Sequence, residues 1–308
     1  MNILITSIGR RVQLIEHLKK TFNIIGVDAS VNNAAKYFSD SFFVIPKCSE
    51  PDYLTDLLNI CVDNNVKMII PLYEREFEIL CRNRQVFEEK GIKILLSDIE
   101  VINICNDKNR TQDFFEHENI VSPKRTDYAP AVIKPVNGMG SQGVYSVNTN
   151  DELEAAKILL HDDYIVQEKI EGKEYTIDVL CDFEGNVVSA VPRERIEVRS
   201  GEVSKSRTVK NDSIISETVR LIKSLNKYGK VIGPITVQCF VTKKGEIVFL
   251  EINPRFGGGV PLTFEAGINY GELLMRFFEG YVHEEVPFDF QEVSMVRYDR
   301  AVYEKVGG

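Results

Sequence analysis

Short apolar runs alternate with amphipathic stretches through the first hundred residues: "NILITS", then "RRVQLIEHLKK", then "NIIGVDAS". Leu54, Leu57, Leu58, Cys61 and Val62 recur at i, i+3, i+4, i+7 and i+8, which predicts one apolar helix face, and Ser49-Glu50-Pro51-Asp52 ahead of them resembles a capping box. "KMIIPL", a single helix over "EREFEILCRNRQVFEEK" stopped by Gly91, and "IKILLS" continue the series. Strands alternating with helices predict a parallel sheet covered on both faces. Its ligand crevice lies at the strand ends, near Ser7 to Arg10, Asp28 and Leu72 to Arg75.

From about residue 106 the texture changes. A short helical stretch, "DKNRTQDFFEHEN", leads to "PAVIKPVNGMGSQGVYSV", two strands joined by a glycine-rich loop, then to the helix "DELEAAKILL" and the strand "DYIVQEKI". Beyond Gly172 the pattern is mostly strand-like, interrupted by the helix "DSIISETVRLIKSLNKYG". The expected architecture is therefore α/β followed by α+β, divided into residues 1–105, 106–170 and 171–308.

Composition narrows the function classes. Of 308 residues, 44% are hydrophobic and 27% charged, as in an ordinary globular protein. The formal charge of −9 and the lack of a Lys/Arg tract argue against nucleic acid and anionic membranes as partners, leaving room for small anionic ligands. Cysteines at 48, 61, 81, 105, 181 and 239 show no CxxC and no nearby His pairs, so buried free thiols are expected. No apolar run approaches the ~18 residues a membrane span needs. The amino terminus enters a strand pattern at once, and a reducing cytoplasm is the expected location.

Gly138-Met139-Gly140-Ser141-Gln142-Gly143 spells G-x-G-x-x-G. The dinucleotide mechanism needs a helix after that loop, whereas "VYSV" follows, so the loop is expected to be a hairpin flap over phosphates. Lys134, ending the preceding strand, can reach the same phosphates as a point charge. An NAD-linked oxidoreductase is the weaker alternative, and a nucleotide-binding subunit without turnover is another.

The sharpest geometry lies in "ITVQCFVTKKGEIVFLEINPRF". A turn centred on Lys244-Gly245 with a loop of even length pairs Val241 with Val248, Cys239 with Leu250 and Gln238 with Glu251. Side chains at i and i+2 share a face, so Glu251, Asn253 and Arg255 line up beside Gln238. An oxygen-rich row of this kind suits Mg²⁺, which combines one or two carboxylates with phosphate oxygens. Arg255 sits where the charge of a transferring phosphoryl group could be stabilised.

These residues, together with "IVQEKIEGKEYTIDVL" and "FLEINPRFGGG", resemble the ATP-grasp superfamily, in particular the ATP-binding unit of the carbamoyl phosphate synthase large chain and biotin carboxylase. The resemblance covers essentially the whole chain and implies a Rossmann-like pre-ATP-grasp domain followed by two α+β subdomains clasping ATP. It implies that Lys108 and Lys134 contact the phosphates under the Gly138, Gly140, Ser141 and Gly143 loop. Glu168, Lys169 and Ile170 would hold adenine, and Glu174 the ribose. Gln238, Glu251 and Asn253 would hold Mg²⁺ or Mn²⁺, and Arg255 would assist phosphoryl transfer with Lys134. The activity implied is an ADP-forming ligase that activates a carboxylate as an acyl phosphate for an amine; homodimers are common among such relatives.

The segment 193–210 carries six basic residues against three acids, 6 − 3 = +3, inside a chain of −9. From it Arg195, Lys205 and Arg207, with Gly258 of the glycine triplet after Arg255, are expected to bind the carboxylate substrate opposite ATP. Glu74 and Arg75 are expected to face the same cleft from the first domain.

Overall fold

The computed structural model describes residues 1–138, 142–161, 163–199, 201–280 and 289–305. Successive side chains on a strand point to opposite faces, and the first strand shows this at once: Ile3 and Ile5 enter one core, Leu4 another. Strands β1 (Asn2–Thr6), β2 (Asn23–Asp28), β3 (Ser41–Val44), β4 (Val66–Ile70) and β5 (Lys93–Ile94) form a parallel sheet in the order β3-β2-β1-β4-β5. Helix α1 (Val12–Leu18) packs on one face; α2 (Tyr53–Asp63), α3 (Glu74–Arg82) and α4 (Arg84–Glu88) pack on the other.

Two local expectations fail here. Helix α2 buries Tyr53, Leu57 and Cys61, while Val62 is exposed, and Asp52 makes no side-chain cap, so Ser49 to Asp52 form no capping box. The long helix breaks at Asn83, whose φ of −109° and ψ of 12° are not helical and whose amide donates to the Ile79 carbonyl at 2.8 Å. A side chain that bonds the backbone of the preceding turn competes with the helix ladder.

Helix α5 (Ile99–Asn106) leads into α6 (Lys108–His117). The Asp107 carboxylate caps α6 by accepting from the amides of Asn109 and Arg110 at 2.8 and 3.1 Å, which fixes Lys108 in the first turn. Strands β6 (Ala131–Pro135), β7 (Tyr145–Val147) and β8 (Tyr164–Glu168) form a small antiparallel sheet ordered β7-β6-β8, and α7 (Asn150–Leu160) covers one face.

The largest sheet has the order β13-β12-β9-β10-β11-β14, built from β9 (Gly172–Cys181), β10 (Val187–Arg199), β11 (Glu202–Thr208), β12 (Gly233–Thr242), β13 (Ile247–Asn253) and β14 (Ser294–Val296). Ile177, Val179, Ile235 and Val237 turn toward α8 (Asp212–Leu225) and bury against its Ile214, Leu221 and Leu225. The intervening residues Thr176, Gln238 and Thr236 therefore face the other way, toward a cleft. All six cysteines are free, as expected; Cys61, Cys181 and Cys239 are buried and Cys48, Cys81 and Cys105 half-buried.

The short α9 (Pro261–Glu265) and α10 (Tyr270–Phe278) return to the first sheet. Leu274 and Phe277 join Ile3, Leu14, Leu18 and Ile24 in one core, which also takes Leu180 and Val191 of the large sheet. His17 of α1 stacks on Phe264 at 3.8 Å between ring centroids, and its Nε2 accepts from the Tyr270 amide at 3.2 Å.

Burial, followed by the nearby Lys20 charge, pulls the His17 imidazolium down to about 4 from an ordinary 6.5. The unfolded chain then takes up a proton below pH 6.5 that the folded chain refuses until about pH 4, so stability is complete above 6.5 and falls between these values. The expected loss is about 3 kcal/mol at most. Urea midpoints measured from pH 7 to 4 should fall more steeply for the wild type than for His17→Gln; parallel curves would exclude this linkage.

Candidate active site

The small and large sheets enclose a cleft of about 560 Å³. Its floor depends on the β12–β13 hairpin. The Thr242 amide donates to the Glu246 carbonyl at 2.9 Å, so the turn has three residues, Lys243, Lys244 and Gly245, with Gly245 at φ +82°. An odd turn displaces the expected register by one: Val241 pairs with Ile247 and Cys239 with Phe249, instead of with Val248 and Leu250. Leu250 is the extra residue of a bulge, and beyond it Gln238 stands opposite Glu251, as the sequence predicted. Phe249 and Ile252 consequently both enter the core while Leu250 and Glu251 both face the cleft.

Asn253 follows on the same face and donates from Nδ2 to Glu251 Oε1 at 3.0 Å. Gln238, Glu251 and Asn253 thus present side-chain oxygens side by side at one end of the cleft. No group of three or more His, Cys, Asp or Glu side chains gathers as a metal cage among the described residues. One carboxylate with two amide oxygens fits Mg²⁺ whose remaining positions are completed by phosphate and water.

Lys134 projects from β6, and Lys108 enters from the start of α6, where its Nζ donates to the carbonyls of Val136 and Gly138 at 3.3 and 3.1 Å. Burial lowers the pKa of both lysines, and the Glu251 carboxylate opposes that shift in each. Two partly desolvated ammonium groups beside a carboxylate form an environment that gains from a polyanion.

Val132, Val144, Ile170, Phe240 and Leu250 form an apolar slot farther along, suited to a planar base. Glu168 and Lys169 border it; the Glu168 carboxylate accepts from the Lys124 amide at 3.0 Å and Lys169 donates to Asn148 at 3.1 Å. Glu174 also lines the cleft, bound to Arg195 at 2.8 Å.

Two residues beyond Asn253, Arg255 is gripped by Glu74 of α3, through Nε at 2.8 Å and Nη2 at 2.7 Å. Glu74, expected to face the cleft, instead clamps Arg255 and is not itself among the cleft-lining residues. Near Arg255 lie two further cations, one from the basic segment 193–210 and one from the turn that follows the first strand. Arg193 is 1% exposed and holds Asp178 in a bidentate pair at 2.6 and 2.9 Å, with Thr263 donating to the same carboxylate at 2.5 Å. Arg11 arrives from the turn before α1. The signal for both was the Gly257-Gly258-Gly259 triplet: a Cβ on Gly259 would stand 2.2 Å from Arg193 Nη1.

Several expected residues lie elsewhere. Arg75 is exposed on α3 and does not line the cleft. Lys205 pairs with Glu197 at 2.7 Å and Arg207 with Glu194 at 2.6 Å on the exposed side of β11, because alternation turns them away from Arg193 and Arg195. Gly138 lines the cleft, and Gly143 stands just behind it, at φ +70° between Gln142 and Val144. Gly140 and Ser141 lie outside the described residues. The loop is followed by β7 and not by a helix that could receive a dinucleotide pyrophosphate.

A PylC-like N-terminal domain model matches residues 3–95, and an ATP-grasp domain model matches residues 105–259. The carbamoyl phosphate synthase large chain of Thermoanaerobacter sp. (strain X514) is 29% identical over 245 residues, which are 70% of this chain; the match spans 22% of that relative's length. Among solved structures, the biotin carboxylase domain dimer of Hydrogenobacter thermophilus 2-oxoglutarate carboxylase, in complex with MgADP, ADP and bicarbonate, superposes with a TM-score of 0.73 at 17% identity, covering 94% of this chain and 72% of that one. The L-amino acid ligase of Bacillus licheniformis gives 0.67 at 19% identity, covering 90% and 74%. Paired lysines, an oxygen row and a clamped arginine in one cleft, together with the model match over residues 105–259, establish that this chain belongs to the ATP-grasp family.

Proposed function

We propose that this chain is an ADP-forming ligase that uses ATP and Mg²⁺ to activate a small-molecule carboxylate as an acyl phosphate for attack by an amine. The observation that carries the reading is the convergence of Lys108, Lys134, Glu251, Asn253 and Arg255 on one cleft. Lys134 and Lys108 hold the phosphates, and the apolar slot takes the base. Gln238, Glu251 and Asn253 would hold the metal ion, which when bound neutralises phosphate charge.

Arg255, immobilised by Glu74, would neutralise the charge that builds on the β–γ bridging oxygen as ADP leaves. A substrate carboxylate oxygen forms a bond to the γ-phosphorus as that bridge breaks. The amine nitrogen then attacks the acyl carbon, loses a proton and displaces inorganic phosphate. Every step is positioning and charge neutralisation, with no covalent bond to the protein. A homodimer, by likeness to the dimeric carboxylase domain, and a cytoplasmic setting belong to the same proposal; among the described residues no helix is long and apolar enough to cross a membrane.

Glu251→Gln is expected to lower carboxylate-dependent ADP release by about 100-fold or more. A phosphate-release screen over small carboxylates and amines, with that variant as the blank, tests the reading. AMP and pyrophosphate as products would contradict it, and nucleotide binding without any turnover would favour a non-catalytic subunit.

The lysines add a pH signature. With Lys134 drawn below 10.5 by burial, ATP affinity should weaken on the alkaline side before that value is reached, as the ammonium is lost. Lys134→Arg keeps its charge and should flatten that limb. Nucleotide titrations between pH 7 and 10 that show the same slope for both proteins would rule this out.

A further inference from the structure

Two guanidinium groups in the cleft have no part in the reaction just described. Arg193, which lines the cleft, spends Nε and Nη2 on Asp178, yet its Nη1, equally buried and close against Gly259, has no partner. An unsatisfied donor on a buried charged group is costly, so the position calls for an acceptor. Arg11 donates to no described side chain or carbonyl. Burial first, and then the charge of Arg255, pull its pKa down to about 10; Glu202 offsets this only in part, because it is bound to Arg297 at 2.9 Å. Both groups converge on one loop: a Cβ on Gly258 would lie 3.3 Å from Arg11 Nη1, next to the Gly259 position that abuts Arg193.

The strand register separates this place from the phosphate end. Glu251 pairs with Gln238, Gln238 with Thr176, and Thr176 with Arg193, so one row crosses β13, β12, β9 and β10. Three strand spacings put the backbones of Glu251 and Arg193 roughly 14 Å apart. Arg255 lies toward the metal end and is held there by Glu74, whereas Arg11 and Arg193 are supplied by α1's leading turn and by β10. A group held by Arg193 is thus displaced across the sheet from the Glu251 end of the cleft.

We infer that Arg11 and Arg193 form a subsite for a non-reacting carboxylate, which makes the acid substrate a dicarboxylic acid. One carboxylate is activated beside Arg255 while the other is gripped across the junction of the first and large sheets. The term substrate rests on the ligase reading above; the binding of two carboxylates does not.

Calorimetric titration of the protein in Mg-ADP with succinate and glutarate, against propionate and butyrate, tests the inference, with ADP release from Mg-ATP measured over the same panel. At least one dicarboxylate should bind about 10- to 100-fold more tightly than its monocarboxylate counterpart, and Arg11→Gln should lose that margin. Arg193→Lys, which keeps a cation beside Asp178 and so protects folding, should lose most of it. Equal affinities for the two acid classes, or a margin that survives in both variants, would overturn the subsite. ADP release driven equally well by monocarboxylates and dicarboxylates would uphold the ligase and sink the subsite. Dicarboxylate binding that is lost in Arg11→Gln, without ADP release, would do the reverse.

Discussion

The pairing of β12 with β13 is the constraint on which the rest of the site depends. A sheet whose side chains alternate can devote one face to a core and the other to chemistry only while the alternation holds. Here a three-residue turn upsets the alternation and the bulge at Leu250 restores it before Glu251. Without the bulge, either Phe249 or Glu251 would face the wrong side: an aromatic ring in the cleft or a carboxylate against α8. Neither is tolerable, since burying an unpaired charge costs far more than the bulge does. The same register, carried through β9 to β10, sets Thr176 and Arg193 in line with Glu251.

Charge is arranged along that line in a graded way. Acceptors dominate at Glu251, Asn253 and Gln238, ammonium groups face them from the small sheet and the start of α6, and guanidinium groups crowd the region beyond. Most of those cations are individually committed: Arg255 to Glu74, Arg195 to Glu174, Arg193 to Asp178. Such pairs fix the side chains and reduce the repulsion that Arg11, Arg193, Arg255 and Arg297 would otherwise exert on one another. A net charge of −9 is therefore compatible with an anionic ligand, because carboxylates act as supports for the cations that meet it.

The parts of this arrangement that could be read from the chain are those encoded by neighbours in sequence. The βα alternation and the β6–β7 hairpin follow from periodicity, whereas the Gln238–Glu251 pair, expected from an even turn, is met only because the Leu250 bulge offsets an odd one. Local competition defeated other readings: Asn83 bonds back to Ile79 and splits a helix, and Asp52 leaves the start of α2 uncapped. Arg193 was harder still. "RERIEVR" resembles a solvated strand face, and only its pairing with Asp178 on the adjacent strand turns the first arginine inward. Arg11, in a turn that could equally meet an anion or cap a helix, is hard to place for the same reason, since nothing near it in sequence reveals that Gly258 lies alongside.

The core shared by α1, α10 and the first sheet has a consequence for synthesis. Ile3, Leu14 and Leu18 emerge from the ribosome long before Leu274 and Phe277, which complete their packing. One face of the parallel sheet, covered only by α1, must remain incomplete until some 180 further residues have followed β5, a number set by the positions of Ile94 and Leu274 and equivalent to roughly ten seconds or more of elongation. During that interval the amino-terminal unit presents an apolar surface of the kind that chaperones recognise, and the His17 to Tyr270 contact closes only as the last helix docks.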